Sequence, residues 1–294
     1  MVVDLEKRAF LCPPLRPLVC ALLVALTFGC RGEPEVAVEP AAAAKDKSSE
    51  TTGAEAVIGW ESLGEGLDVA KWKPAPLVVA NVLRIDPRRW SLRALLARES
   101  SAKGEAAAPD LLTAEDFSSR TAAAAVVNGG FFDPEYRPMG LRISQGRMQV
   151  PLRMVDWGVF FIGASGPGLV HARDWGEGRE VDFAVECGPR LIHGGETFKL
   201  KPNLHRRSVI GHTSDGMVVM VVTRDPIDLN TLAAALVKPV SRGGLGLHAA
   251  LNLDGGPSTQ MDLRGRGGWR VAGISGVADA VGVFPRGSAE RSDN

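Results

Sequence analysis

Two stretches far apart in the chain stop an apolar run on a hydrogen-bonding side chain and follow it at once with paired glycines. They are AAVVNGGFFDP, from Ala124 to Pro134, and AALNLDGGPSTQ, from Ala249 to Gln260. Asn128 and Asp254 close the apolar runs, so both are expected where strands leave the core, the usual place for a site in a strand-based fold. Gly129, Gly130, Gly255 and Gly256 would let a ligand approach the main chain and aim N–H groups at an anion. Asn-Gly and Asp-Gly are also preferred hairpin dipeptides, yet GGPST is not followed by an apolar run that would complete a hairpin. No Gly-Lys-Ser/Thr follows either doublet, which disfavours nucleoside triphosphate chemistry.

Complementary charge comes from three further segments. ECGPRL sets Glu186 and Arg190 around a Gly-Pro turn, LHRRSVIG sets Arg206 and Arg207 at the mouth of a strand, and FFDPEYRPMGLRIS carries Asp133 and Arg142. Guanidinium groups and glycine N–H donors hold phosphate. Carboxylates beside them can protonate a leaving group, activate water or steady an oxocarbenium-like carbon. Such a set suits a substrate that carries both a sugar and a phosphate. His205 and His212 lie an odd number of positions apart near one strand, which points them to opposite faces and argues against a shared metal. No cofactor is required; a divalent cation such as calcium could be held by oxygens of Asp254, Asp133 and Asn128.

The elements that must position these groups read as strands punctuated by glycine, with a few helices. PLVVANVLRID and WSLRALLAR look like neighbouring strands joined by a PRR turn. Thr113 reads as an N-cap with Asp116 three residues on, so a helix starts near Ala114. Arg207 to Asp225 forms the clearest hairpin, turning at Ser214-Asp215-Gly216, and Asp228 caps a helix over DLNTLAAALV. The pattern predicts a single α+β domain from 57 to 286: a mixed, largely antiparallel β-sheet core with a few packed helices. Residues 287–294 read as a tail.

Before that domain the chain reads differently. Lys7, Arg8 and Arg16 precede the short apolar run LVCALLVALTF, which suits a signal peptide over 1–29. The run ends in LTFGC, which resembles a bacterial lipobox with Cys30 as the lipidated N-terminus; plain secretion is the alternative. Residues 30–56 are rich in Pro, Ala, Ser, Thr and charge, the composition of a flexible tether. These features predict an exported lipoprotein of the cell envelope, with the membrane as a partner through its lipid. Cys187 is the one cysteine of the folded body, so a mature monomer has no internal disulfide. Without the signal the chain carries 31 basic and 32 acidic residues. That balance and the low aromatic content argue against nucleic acid.

In order and spacing, AAAVVNGGFFDPEYRPMGLRISQGR, ECGPRLIHGGE, HRRSVIGHTSDGMVVMVV and AALNLDGGPSTQM resemble the motifs of the phosphodiester glycosidase family. The resemblance spans about 57–285. It implies hydrolysis of the bond between a sugar's anomeric carbon and a phosphodiester oxygen. Asn128, Gly129 and Gly130 match the family's Asn-Gly-Gly, Arg207 its conserved-type arginine, and Asp254, Gly255 and Gly256 its Asp-Gly-Gly. Asp254 is then expected as nucleophile or general base, with Glu186 or Asp133 as its partner. Asn128, the four glycines, Arg190, Arg207 and Ser258 would bind substrate. The chain departs from the family's pattern at Glu186, where Gln is common, and at Pro257, which removes a backbone N–H. Two rival readings use the same residues: an envelope lipoprotein that binds a phosphate-bearing glycopolymer without turnover, and a metal-dependent phosphodiesterase.

Overall fold

Strand alternation is the main organising feature of the computed structural model, which describes residues 58–100, 109–176 and 178–287. The signal segment, Cys30 and the tether lie outside the described residues. All of the described residues fall within one compact unit, Gly53–Asn294.

An eight-stranded sheet runs, in spatial order, Trp60–Gly64, Leu67–Ala75, Val78–Ile85, Val218–Thr223, Ser208–Thr213, Leu247–Asn252, Arg190–His193 and Glu196–Thr197. Its strands put alternate side chains on opposite faces. Leu83, Ile85, Ile210, Met220 and Leu251 enter a central core, while Ala80, Val82, Val209, Val221 and Ala250 face the other way. The second face is covered by the helix Leu229–Val237, through Leu232, Ala233 and Leu236. Each fully buried Leu or Val contributes about 1.5–3 kcal/mol relative to exposure.

Two smaller sheets close the central core. One orders Met261–Leu263, Ala125–Asn128, Asp279–Pro285 and Trp90–Leu96; the other orders Arg147–Val150, Arg142–Ser144, Val181–Cys187, Gly158–Gly163 and Gly166–His171. Helix α1 (Ala114–Arg120) packs Phe117 on the outer face of the four-stranded sheet, beside Val126, Ala280 and Phe284. Its start is the expected one: Thr113 and Asp116 form a reciprocal capping box. The second helix, α2 (Leu229–Val237), starts on Asp228, whose carboxylate accepts from the N–H groups of Asn230 and Thr231.

Three expectations change. Every strand pairing among the described residues is antiparallel, so the sheets are not mixed. With two α-helices of seven and nine residues, the fold is largely antiparallel β rather than balanced α+β. Finally, Val78–Ile85 and Trp90–Leu96 are consecutive but lie in different sheets. Asp86 accepts from the N–H of Arg88 and, through its carbonyl, from those of Arg89 and Trp90, so the Pro87 turn carries the chain across the core instead of folding it back.

Candidate functional site

The two glycine doublets, remote in the chain, meet. The Asp254 N–H donates to the Gly129 carbonyl at 3.1 Å. Asn128 Nδ2 donates to the Asp254 carbonyl at 2.8 Å. The register of the sheets produces this meeting. Ala125–Asn128 pairs with Asp279–Pro285 on one side, and Leu247–Asn252 pairs with Ser208–Thr213, so each doublet emerges at a strand end.

Asp254 is partly exposed, as a reacting group must be. Its Oδ1 accepts from the Gly255 N–H at 2.9 Å. Burial pushes its pKa above the usual carboxylate range; the hydrogen bonds from Ser258 and Gly255 oppose this, and the Asp279 charge adds to it. Ser258 is buried and orients Asp254 rather than facing solvent.

Arg207 is nearly buried. Its Nη2 donates to the Asn203 carbonyl at 2.9 Å and also to Asn203 Oδ1, and its Nε donates to the Ile227 carbonyl. Nη1 has no hydrogen-bond partner among the described residues and lies 3.7 Å from where a Cβ on Gly255 would stand. It is a guanidinium donor held beside the turn that follows Asp254. Arg206 instead clasps the loop that follows, donating to the carbonyls of Thr259 and Ala272. Its own carbonyl takes the Gly256 N–H.

Three of the four glycine N–H groups are spent inside the protein instead of on the anion cradle expected of them. Gly129 N–H donates to the Asp279 carbonyl, Gly255 N–H to Asp254 Oδ1 and Gly256 N–H to the Arg206 carbonyl. The first doublet is bare for another reason. A Cβ on Gly129 would overlap Asp279 Oδ2, and one on Gly130 would overlap Arg142 Nη2. The missing side chains make room for a buried ion pair. At Gly256 a φ of 60° calls for glycine directly.

Asn128 also serves the framework. Besides the two carbonyls its Nδ2 reaches, its Oδ1 accepts from Ser208 Oγ at 2.6 Å and the Gln260 N–H at 3.1 Å. An amide with every position filled has none left for a sugar or a water. It locks the two loops together.

The two expected partner carboxylates are engaged elsewhere. Asp133 Oδ1 accepts from the N–H groups of Glu135 and Arg137, and Oδ2 from Arg137 Nε at 2.7 Å. The Arg137 hydrogen bonds hold its pKa below the usual range, which suits a loop clamp and not a proton carrier. Glu186 has no exposed surface. Its Oε2 takes the N–H groups of Leu141 and Arg153, while Oε1 has no partner. Burial raises its pKa. The oxygens considered for calcium are thus committed to protein donors at Asn128 and Asp133. No group of three His, Cys, Asp or Glu side chains among the described residues converges to hold a metal.

Arg190 stands further along the same edge. Its guanidinium lies 4.9 Å from the Phe198 ring centroid, and its stem crosses Gly158. Sequence reasoning did not single out the aromatic wall between them. Phe131 follows the first doublet and packs against Trp157 with ring centroids 5.1 Å apart; both are half-buried. Trp157 lies over Gly188, which precedes a cis Pro189. His205, exposed, reaches towards Gly256 from the other rim. A cavity of about 300 Å³ opens elsewhere, between α1 and loop 263–270, and contains none of these groups.

A family model described as phosphodiester glycosidase matches residues 121–284, more than half the chain. The protein YigE of Escherichia coli is 25% identical over 156 residues, covering 48% of this chain and 58% of YigE. The chain therefore spans less than two-thirds of that relative. A hypothetical protein from Synechocystis superposes with a TM-score of 0.54 at 16% identity, over 78% of this chain and 64% of that one. The catalytic domain of zebrafish N-acetylglucosamine-1-phosphodiester alpha-N-acetylglucosaminidase, auto-inhibited by its pro-peptide, superposes with a TM-score of 0.54 at 17% identity. That match covers 78% and 82% of the two chains. At these identities the structural likenesses show a shared fold.

Proposed function

The chain belongs to the phosphodiester glycosidase family, and from that premise we propose that it hydrolyses the glycosidic bond of a sugar-1-phosphodiester. Asp254 acts as the base. It takes a proton from a water that attacks the anomeric carbon, the C–O bond to phosphate breaks, and its electron pair leaves with the phosphate oxygen. Phosphate is a good leaving group, so one accessible carboxylate suffices without a strong general acid. Arg207 Nη1 neutralises the phosphate as charge develops on it. Arg190 and the Phe131–Trp157 wall flank the sugar side, where aromatic faces pack on apolar ring surface.

The observation that carries this reading is the seating of Asp254. It is a partly exposed, raised-pKa carboxylate fixed by Ser258 and Gly255, and Arg207 Nη1 lies beside the neighbouring Gly255. The substrate is placed in envelope or extracellular glycans, reached by export and anchoring through lipidated Cys30. Turnover of a sugar-1-phosphodiester by Asp254→Asn tests the assignment. The general-base role predicts a kcat loss of about 10²–10⁴-fold. Arg207→Gln is expected to weaken both KM and kcat. Wild-type turnover in Asp254→Asn would remove the base from this position.

A further inference from the structure

We propose that the buried Arg142–Asp279 ion pair is the positioning element of the site, seating the first glycine doublet and placing a fixed carboxylate behind Asp254. This rests on Asp254 being the reacting group. Arg142 has no exposed surface and Asp279 almost none. Arg142 Nε meets Asp279 Oδ2 at 2.5 Å and Nη2 meets Oδ1 at 3.3 Å, a two-point contact between the five-stranded and four-stranded sheets. The remaining donor, Nη1, holds the Glu186 carbonyl at 2.9 Å and the Leu141 carbonyl at 3.1 Å. One guanidinium therefore ties three strands together beneath the doublet.

A buried ion pair is a weak source of stability, because desolvation offsets its attraction; its better-supported use is to fix geometry. Here the geometry is specific. Gly129 lies between the two acids: its N–H donates to the Asp279 carbonyl, and its carbonyl accepts the Asp254 N–H. Gly129 and Gly130 have no side chain precisely where Asp279 Oδ2 and Arg142 Nη2 press on the main chain. The pair is also polar in a directed sense. Burial is the main cause of the raised Asp254 pKa and the Asp279 charge adds to it, while at Cys187 the Arg142 charge opposes burial. The carboxylate end of the pair faces the site, and the guanidinium end faces the Val181–Cys187 strand.

The other groups around Asp254 are few. Gly255 N–H and Ser258 hydrogen-bond to it, the Cys187 thiol senses its charge, and Arg206, Arg207 and His205 approach the glycine turn from the Leu204–Thr213 side. A negative charge behind a base makes it a stronger base. The pair thus keeps Asp254 in place and basic enough to deprotonate water, although neither member touches substrate.

The test is a carboxyl ¹³C NMR titration of aspartate-labelled protein, which needs no substrate. Asp279→Asn retains an oxygen for Arg142 and keeps the backbone bond to Gly129. In this variant the Asp254 midpoint is expected to fall, and the acid limb of the kcat/KM profile should move with it. Arg142→Lys keeps the positive charge but cannot make the two-point contact, so it must unseat the first doublet, shift the Asp254 midpoint and lower kcat. That arm reads the seating even where Asp279→Asn fails to fold. An Asp254 midpoint unmoved in the variants that fold would reduce the pair to a fold staple and overturn the proposal. Coupled titrations in a protein that turns over no phosphodiester would sink the enzymatic reading and leave the electrostatic one standing.

Discussion

At the scale of single residues, the site divides into groups that react and groups that hold. Asp254 is partly exposed and Arg207 Nη1 keeps a donor without a partner among the described residues, whereas Asn128, Asp133 and Glu186 are spent on the framework. Sequence reasoning found all five because each is a polar residue at an apolar boundary. It could not rank them, because hydrogen-bond saturation depends on partners up to 132 positions away, as for Asn128 and Gln260. Asp279 went unnoticed for the same reason: it opens an apolar strand, and its partner lies 137 residues earlier. The first doublet is bare because the Arg142–Asp279 pair presses on the main chain there. Gly129→Ala places a methyl against Asp279, and overpacking of this kind costs about 1–3 kcal/mol. Thermal unfolding should show a melting temperature lower by several degrees. An unchanged melting temperature would mean that the ion pair does not press on Gly129.

At the scale of elements, local signals were read well and lateral assignments less so. The capping box at Thr113–Asp116, the Asp228 cap and the hairpin turning at Gly216 are written within a few residues of where they act. The Pro87 turn looked like a hairpin, yet its strands join different sheets, because sheet membership is decided by long-range pairing. The segment 139–153, which contains the hairpin Arg142–Val150, is held to the Val181–Cys187 strand by the buried Glu186 carboxyl through Leu141 and Arg153. Burial raises the Glu186 pKa in the folded state. The folded protein therefore binds more protons than the unfolded chain above the ordinary glutamate range. The resulting stability is present at low pH and is lost as pH rises through the folded pKa. Glu186→Gln should flatten that decline, matching wild type in acid and melting higher at neutral pH. Parallel wild-type and variant curves would show that Glu186 does not ionise in the fold. Asp254 titrates with the same sign and leaves a residual slope in both proteins.

At the scale of the molecule, three antiparallel sheets close on one core and deliver two distant strand ends to the same point. The four motifs were legible in order and spacing, and the family match over 121–284 agrees with them. Both helices read from their caps are present, but at seven and nine residues they cover little of the described chain, because hairpin connections leave few residues for helix. The chain's two ends make a separate claim. Cys30→Ser is expected to move the protein from the membrane fraction to the soluble fraction and to abolish lipid labelling; an unchanged distribution would remove the anchor. The central claim concerns which bond breaks when this assembly meets a sugar-1-phosphodiester, and hydrolysis in ¹⁸O-enriched water measures that directly. Attack at the anomeric carbon puts the label in the released sugar. Label in the phosphate would make the protein a phosphodiesterase, and no hydrolysis at all would make it a binding protein.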